Sequence, residues 1–101
     1  MSGLYQFTPQ AEEDLFEIWR YIAGDNVEAA DRVEQAVYAA CEFLAAGPMR
    51  GHVREDLTNL PVRFWTLPQF PNYLIVYAPQ TVPLQILRVL HGSREVSAEL
   101  G

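Results

Sequence analysis

The stretch Leu84–Arg94, with the sequence LQILRVLHGSR, decides how the rest of the chain is arranged. Its β-branched and aliphatic residues predict a strand, because Pro83 prevents a helix before it and Gly92 interrupts the run. Arg88 lies in the middle, and a guanidinium in apolar surroundings must reach water, a carboxylate or a partner. Two interpretations stay open: a solvated or salt-bridged strand arginine, or a polar site on an open sheet face.

Side-chain alternation does not decide which face of the sheet Arg88 takes. Successive strand residues point to opposite faces, so Arg88 shares a face with Ile86 and Leu90. Leu87 and Val89 compete with those two residues for the buried side. The pattern therefore predicts a strand and leaves its orientation open.

The composition predicts one domain over residues 1–101. Half of the residues are hydrophobic and a fifth are charged, which is ordinary for a globular protein. No apolar run approaches the roughly 20 residues that a membrane-spanning helix needs, and no secretory signal is expected at the start. Cys41 is the only cysteine, so no internal disulfide is expected, and a cytoplasmic location fits. Within a helical pattern, such a cysteine is expected to be a small buried hydrophobe.

The charge is distributed unevenly along the chain. All seven basic residues are arginines. Residues 1–46 carry nine acids and two arginines, whereas residues 47–101 carry four acids and five arginines, which together give the net charge of −6. An acidic protein gains no long-range attraction to phosphate backbones. Sequence-specific nucleic-acid binding is therefore not expected, although a local arginine cluster could still contact a phosphate.

Two helices are predicted after a short first strand at residues 4–7. Thr8 and Pro9 suit the cap and first position of helix one, which ends at Gly24. Asp25 with Glu28 suggests a capping box for helix two, which ends at residues 47–48. The joint between the helices is short, so they are expected to form an antiparallel hairpin. Apolar residues recur at helical spacing in both helices: Ala11, Leu15, Ile18 and Ile22 in the first, and Ala30, Val33, Val37, Ala40 and Leu44 in the second.

Three strands are predicted in the second half, at residues 62–67, residues 73–78 and from Leu84 onward. The gaps between them are too short for crossover helices, so these strands are expected to form an antiparallel meander. The element order is β-α-α-β-β-β, which predicts an α+β fold: an antiparallel sheet with a helical hairpin packed on one face. One layer of helices would leave the opposite face of the sheet without a cover from this chain.

No metal site or cofactor is expected from the spacing of the polar residues. Glu12, Glu13 and Asp14 are consecutive, but only Glu13 and Glu17 share a helix face and no histidine joins them. The three acids instead suit the positive end of helix one. His52 has no second ligand at metal spacing, so a surface position is expected.

Taken in order along the chain, several short motifs together resemble the ParE branch of the ParE/RelE superfamily, the toxins of bacterial type II toxin–antitoxin modules. The resemblance covers nearly the whole chain, and its strength lies in the order and spacing of motifs that are individually weak. The motifs are Tyr5-x-Phe7-Thr8-Pro9-x-Ala11-x-x-Asp14-Leu15-x-x-Ile18, Pro48-x-x-Gly51-His52-x-Arg54-x-Asp56-Leu57, Pro61-Val62-Arg63, Tyr73-Leu74-Ile75-Val76-Tyr77 and Ile86-x-Arg88-Val89-Leu90-His91-Gly92-x-Arg94.

The resemblance implies a toxin that a cognate, ParD-like antitoxin holds in check. ParE-like members poison DNA gyrase and would serve plasmid stabilisation, whereas RelE-like members cut messenger RNA on the ribosome. The RelE-like reaction needs cationic groups at the phosphate and a proton-transferring side chain, often a tyrosine in the tail. The tail at residues 95–101 has no tyrosine, and the chain has no lysine. A non-enzymatic gyrase-binding toxin is therefore the main hypothesis.

Two alternatives remain open: a ribosome-dependent ribonuclease, and a non-toxic homologue that only binds the antitoxin. Whether the protein is a gyrase-binding toxin or a ribonuclease, the same cationic residues are expected at the target. They are Arg63, Arg88, His91 and Arg94.

An antitoxin-binding surface is predicted from aromatic residues on helix one. Phe16 and Trp19 form a second apolar stripe, wider than one core contact requires, and exposed aromatic residues often mark interfaces. Alternatively, both rings pack against helix two around Ala36 and Phe43. The surrounding acids favour an antitoxin with basic residues at its rim. The residues expected at this interface are Phe16, Trp19, Arg20, Phe43 and Trp65.

Overall fold

The computed structural model describes residues 4–92, which form two helices and four strands. Strand β1 (Tyr5–Phe7) leads into helix α1 (Pro9–Ala23), and helix α2 (Val27–Ala46) follows after a tight joint. A short 3₁₀ turn at Pro48–Arg50 precedes strands β2 (Arg63–Thr66), β3 (Tyr73–Ala78) and β4 (Leu84–His91). The predicted element order and α+β fold are confirmed. None of the helices in this part of the chain is both long and apolar enough to span a membrane.

The sheet has the strand order β1-β4-β3-β2. Strands β2, β3 and β4 pair antiparallel, as predicted for a meander. Strand β1 instead pairs parallel with β4, which makes the sheet mixed rather than wholly antiparallel. The helical hairpin carries the chain from β1 to β2 at the opposite edge of the sheet, and β3 then leads to β4. The parallel pair of β1 and β4 is possible because this connection is long enough to return the chain to the same end of the sheet.

The caps of the helices explain where they begin. Thr8 accepts a hydrogen bond from the amide of Ala11 (3.1 Å), so the predicted cap of α1 is confirmed. For α2 the predicted cap was wrong by one residue: the Asn26 side chain, rather than that of Asp25, accepts from the amide of Ala29 (3.0 Å). Asn and Asp are about equally good caps, so the sequence pattern could not separate them.

The main core lies between the helical hairpin and the sheet. All five residues of the predicted stripe in α2 are buried, and in α1 Ala11 and Leu15 are buried while Ile18 packs at the margin. Cys41 is fully buried among them, as expected, and burial raises the pKa of its thiol to about 12. The fully buried strand residues that face this core include Ile75, Tyr77 and Ile86.

The opposite face of the sheet is also covered, contrary to the sequence expectation. Val62, Phe64, Val76 and Leu90 form a second buried cluster there. Leu57, from the irregular segment between the 3₁₀ turn and β2, packs against it. The segment stays close because His52 and Phe64 exchange two backbone hydrogen bonds of 2.8 Å. The turn-rich composition correctly predicted an irregular segment. Because the segment has no periodic apolar pattern, its packing against the sheet could not be predicted.

Candidate binding surfaces

The edge of β4 is the first feature that positions a predicted site residue. Past Phe7 the chain leaves the sheet and enters α1, so β1 pairs only with the first residues of β4. The Thr8 amide and hydroxyl continue this edge by donating to the carbonyls of Ile86 and Leu87, both at 3.0 Å. The start of α1 thus lies where a longer β1 would otherwise pair.

Arg88 forms an ion pair with Asp14 on this edge. Its Nε donates to Asp14 Oδ2 at 2.7 Å and its Nη2 to Oδ1 at 3.0 Å, a bidentate geometry. Asp14 Oδ2 also accepts from the backbone amide of Val89 at 3.1 Å. Only 18% of the Arg88 side chain and 10% of the Asp14 side chain are exposed. Of the two interpretations of Arg88, the salt-bridged strand arginine is therefore the one that the structure shows.

A bulge explains why alternation could not decide the orientation of Arg88. Val76 pairs with Arg88 but the next residue of β3, Tyr77, pairs with Ile86, so Leu87 is an extra residue in β4. A bulge shifts the alternation of side chains by one position. Leu84, Ile86 and then Val89 face the helices as a result, although their spacing changes from two to three.

The other two predicted target residues of the C-terminal stretch lie at or beyond the end of β4. His91 is half-buried and its ring meets that of Tyr73 edge-on, with centroids 5.2 Å apart. Arg94 and the tail lie outside the described residues. Their assignment to target binding stays a prediction.

Arg63 lies on β2, two strands away from Arg88. It donates from Nη1 to the carbonyl of Gly51 at 2.8 Å. The fully buried Tyr77 contacts the same segment: its hydroxyl donates to the Pro48 carbonyl (2.6 Å) and accepts from the Gly51 amide (2.8 Å). Burial raises the pKa of Tyr77, so the hydroxyl keeps its proton and remains a donor. Arg63 and Tyr77 together fix the segment that follows α2.

A groove of about 730 Å³ lies between β1 and the two helices. We call it the hairpin groove. Phe16 is 58% exposed beside it, and Trp19 donates from Nε1 to Asp31 Oδ1 at 2.8 Å. Trp19 therefore contacts α2 through Asp31. The alternative interpretation had expected the contact with α2 around Ala36 and Phe43. The lining residues are Tyr5, Gln6, Phe7, Glu12, Leu15, Phe16, Trp19, Asp31, Glu34 and Tyr38.

A second, smaller groove of about 290 Å³ lies between α2 and β2. We call it the α2–β2 groove. Phe43 and Trp65 meet there with ring centroids 5.3 Å apart, and the guanidinium of Arg50 lies 4.1 Å from the centroid of the Phe43 ring. Arg50 also donates to the Phe43 carbonyl at 2.7 Å. The lining residues are Ala36, Ala39, Ala40, Phe43, Trp65, Pro68 and Gln69.

The five predicted antitoxin residues therefore divide between two surfaces. Phe16 and Trp19 line the hairpin groove, and Arg20 lies beside them, paired with Glu17. Phe43 and Trp65 line the α2–β2 groove. Whether these residues bind an antitoxin stays a prediction.

Several polar residues with well-defined contacts in the structure were not predicted as site residues from the sequence. Asp14 lies three residues after Ala11 and four before Ile18, so its helical spacing placed it beside the buried stripe and could have indicated a buried partner. Glu34 and Tyr38, four residues apart on α2, are also neighbours on one helix face: the Tyr38 hydroxyl donates to Glu34 at 3.2 Å. Within residues 4–92, no three His, Cys, Asp or Glu side chains come together in a way that would hold a metal ion.

A helical hairpin on a four-stranded mixed sheet, with an aromatic groove on each side of α2, defines a small α+β protein. Residues 5–96 match the family model described as ParE toxin of the type II toxin–antitoxin system, parDE. The chain therefore belongs to the ParE toxin family of type II toxin–antitoxin systems.

The comparison with solved structures agrees at the level of the fold. A chain from a structure described as the chromosomal ParDE toxin–antitoxin system from P. aeruginosa is 23% identical, with a TM-score of 0.70. The match covers 88% of the present chain and 95% of the other. No curated protein sequence matches significantly.

Proposed function

We propose that this protein is a toxin that binds DNA gyrase and is neutralised by a ParD-like antitoxin. The family match over residues 5–96 is the observation that carries the proposal. It is a match to the ParE family specifically, and family resemblance implies a topoisomerase target for that branch. The structure found among the solved chains is described as a ParDE system, which supports an antitoxin of the ParD type as the partner.

The arrangement of the cationic residues favours a binding toxin over a ribonuclease. In the ribonuclease hypothesis, Arg63, Arg88, His91 and Arg94 would surround one phosphate. Arg88 is instead held by Asp14 in a bidentate pair, and Arg63 donates to the Gly51 carbonyl. Two strand spacings, about 10 Å, separate their strands. Stabilising one phosphoryl group requires cationic groups that converge on it.

The target is tested by adding the purified protein to gyrase and relaxed plasmid. We expect loss of supercoiling or accumulation of cleaved plasmid, and relief of this effect when the antitoxin from the neighbouring reading frame is added first. In cells, induction should cause DNA-damage signalling and filamentation while translation continues. Rapid decay of messenger RNA with cuts in translated codons would instead establish the ribonuclease. The absence of both effects would indicate a non-toxic homologue.

Arg94→Ala tests the C-terminal cations. We expect weaker toxicity and an unchanged fold, because a forked guanidinium suits charge-assisted contacts to a partner. Arg54→Ala is the matched control, since Arg54 is another arginine whose ion pair, with Asp56, is exposed. Full toxicity of the Arg94 variant would remove that residue from the target site.

The antitoxin surface is tested at Trp19. Trp19→Ala should weaken antitoxin binding by about 2 kcal/mol or more if the ring is a binding hot spot. Tyr21→Ala is the control, because Tyr21 is 84% exposed on the same helix but does not line the groove. Calorimetric titration measures the affinity, with thermal melts alongside. Unchanged affinity with a lowered melting temperature would mean that Trp19 serves only the fold.

A further inference from the structure

The hairpin groove combines aromatic walls with carboxylates that form no ion pair within the described part of the chain. Glu12, Asp31 and Glu34 reach it from separate positions on two helices. The ion pairs of residues 4–92 involve Glu17, Asp14 and Asp56, and none of the three groove carboxylates. Among residues 4–92, no arginine lines the groove. Its surface is thus negatively charged where it is also apolar.

Two of these carboxylates are held in place by the aromatic residues of the same groove. Trp19 donates to Asp31, and Tyr38 donates to Glu34. Burial, and then the charge of Glu34, raises the pKa of Tyr38, so its hydroxyl keeps its proton and remains a donor. A carboxylate can accept about four hydrogen bonds, so each keeps acceptor capacity for a further donor.

A cation with a flat apolar face is the ligand that suits this combination. A guanidinium donates to carboxylates through its edge and stacks on aromatic rings through its face, whereas an ammonium is more strongly hydrated. The volume of the hairpin groove, about 730 Å³, lies within the range of about 300–1,000 Å³ typical of ligand pockets. The groove therefore has room for an arginine together with an apolar neighbour.

We propose that the hairpin groove binds an arginine side chain of the antitoxin, between its carboxylates and the rings of Phe16 and Trp19. This inference rests on the proposed antitoxin binding, and it adds the chemistry of the contact. The chain's own Arg20 lies 6.0 Å from the centroid of the Phe16 ring and is engaged by Glu17. The partner's arginine supplies the positive charge that the groove lacks.

The groove itself is tested with N-acetylarginine amide as the probe. The chain has two tryptophans, and their indole N–H signals in NMR spectra report on different grooves: Trp19 on the hairpin groove, Trp65 on the α2–β2 groove. We expect a saturable shift of the Trp19 signal and none of the Trp65 signal. N-acetylcitrulline amide, with an uncharged group of similar shape, is the control and should cause no saturable shift. Equal effects of both probes, or a shift confined to Trp65, would overturn the proposal.

The antitoxin contact is tested with a variant that removes charge but keeps hydrogen-bond acceptors. Asp31→Asn with Glu34→Gln still allows Trp19 and Tyr38 to donate. We expect antitoxin affinity to fall about tenfold or more, since charge-assisted bonds are lost. Asp25→Asn with Glu55→Gln is the matched control: it also removes two negative charges, from exposed positions that do not line the groove, and should change affinity less than about twofold.

Salt separates the contact from a general effect of charge. The difference between wild type and the groove variant should shrink between about 0.1 M and about 1 M salt, as the Debye length falls from about 10 Å to about 3 Å. If the antitoxin binds wild type and both double variants equally, the arginine contact is wrong while the proposed function stands. If the antitoxin does not bind wild type, the proposed function fails, and the probe titration still decides whether the groove accepts a guanidinium.

Discussion

The ion pair between Asp14 and Arg88 predicts that Asp14→Ala is one of the most destabilising substitutions at a polar position. The carboxylate accepts four hydrogen bonds: two from Arg88, one from the amide of Val89 and one from the side-chain amide of Gln10. Removing one partner of a buried pair costs about 3–5 kcal/mol, because the other charge is left without compensation. Arg88 keeps 18% exposure and can recover some water, so we expect about 3 kcal/mol. For a domain of this size that lowers Tm by about 12 °C or more.

Thermal and denaturant unfolding of a double-mutant cycle measures this coupling. The cycle consists of wild type, Asp14→Ala, Arg88→Ala and the double variant. We expect the double variant to lose less stability than the sum of the two single losses, because the two side chains stabilise the fold through one shared contact. Glu17–Arg20 is the control pair: its side chains are 51% and 64% exposed, so its coupling should be about 0.5 kcal/mol or less. Equal coupling in the two pairs would refute a structural role for Asp14 and Arg88.

The same variants separate the structural role of Arg88 from a role in target binding. If Arg88 acts through the fold, Asp14→Ala and Arg88→Ala should lose toxicity together and in proportion to their loss of stability. If Arg88 contacts the target directly, Arg88→Ala should lose toxicity while Asp14→Ala, at a temperature where both are folded, retains it. The second result would contradict the reasoning from the ion pair.

Three further predictions concern stability and the buried thiol. Gly51→Ala should lower stability by about 1–3 kcal/mol, because the added Cβ would collide with the Tyr77 hydroxyl. Gly24→Ala is the control: Gly24 has right-handed helical backbone angles and room for a Cβ, so this variant should be neutral or stabilising in the same melts. Tyr77→Phe should cost about 1–3 kcal/mol by leaving the partners of its hydroxyl unsatisfied, and an unchanged Tm would mean that water replaces it. Cys41 should resist thiol reagents until the protein unfolds. Because burial raises its pKa to about 12, its contribution to stability is complete below the ordinary pKa of a thiol and falls as the pH rises above it; fast labelling of the native protein would contradict this.

The fold was predictable from the sequence because periodicity and caps agree along most of the chain. The stripe in α2 and the meander of β2, β3 and β4 follow directly from spacing and turn chemistry. The parallel pairing of β1 with β4 could not be predicted in this way, because the sequence of a three-residue strand does not indicate which strand it pairs with. The bulge at Leu87 is invisible for a similar reason: it is fixed by the register with β3, and alternation within β4 alone cannot reveal it.

The candidate surfaces were predictable as residue types but not as groups. Phe16, Trp19, Phe43 and Trp65 were all predicted at the antitoxin interface, and the structure places each of them in a groove. Which of them share a groove depends on how α2 lies between α1 and β2, a long-range relation that helical spacing does not contain. The described lining of the hairpin groove includes carboxylates, whereas that of the α2–β2 groove is uncharged. This difference follows from the same packing.

The two grooves are joined by a depression that crosses α2, and this suggests how one antitoxin chain could contact both. The depression shares Asp31 with the hairpin groove, and it shares Ala36, Ala39 and Gln69 with the α2–β2 groove. A segment lying across the small side chains of α2 would reach Trp19 on one side and Trp65 on the other. Trp19→Ala and Trp65→Ala should then each weaken antitoxin binding. Their effects should add within about 0.5 kcal/mol in the double variant, because the rings occupy separate grooves. If Trp65→Ala leaves the affinity unchanged, the antitoxin stays in the hairpin groove and the assignment of Phe43 and Trp65 to its interface is wrong.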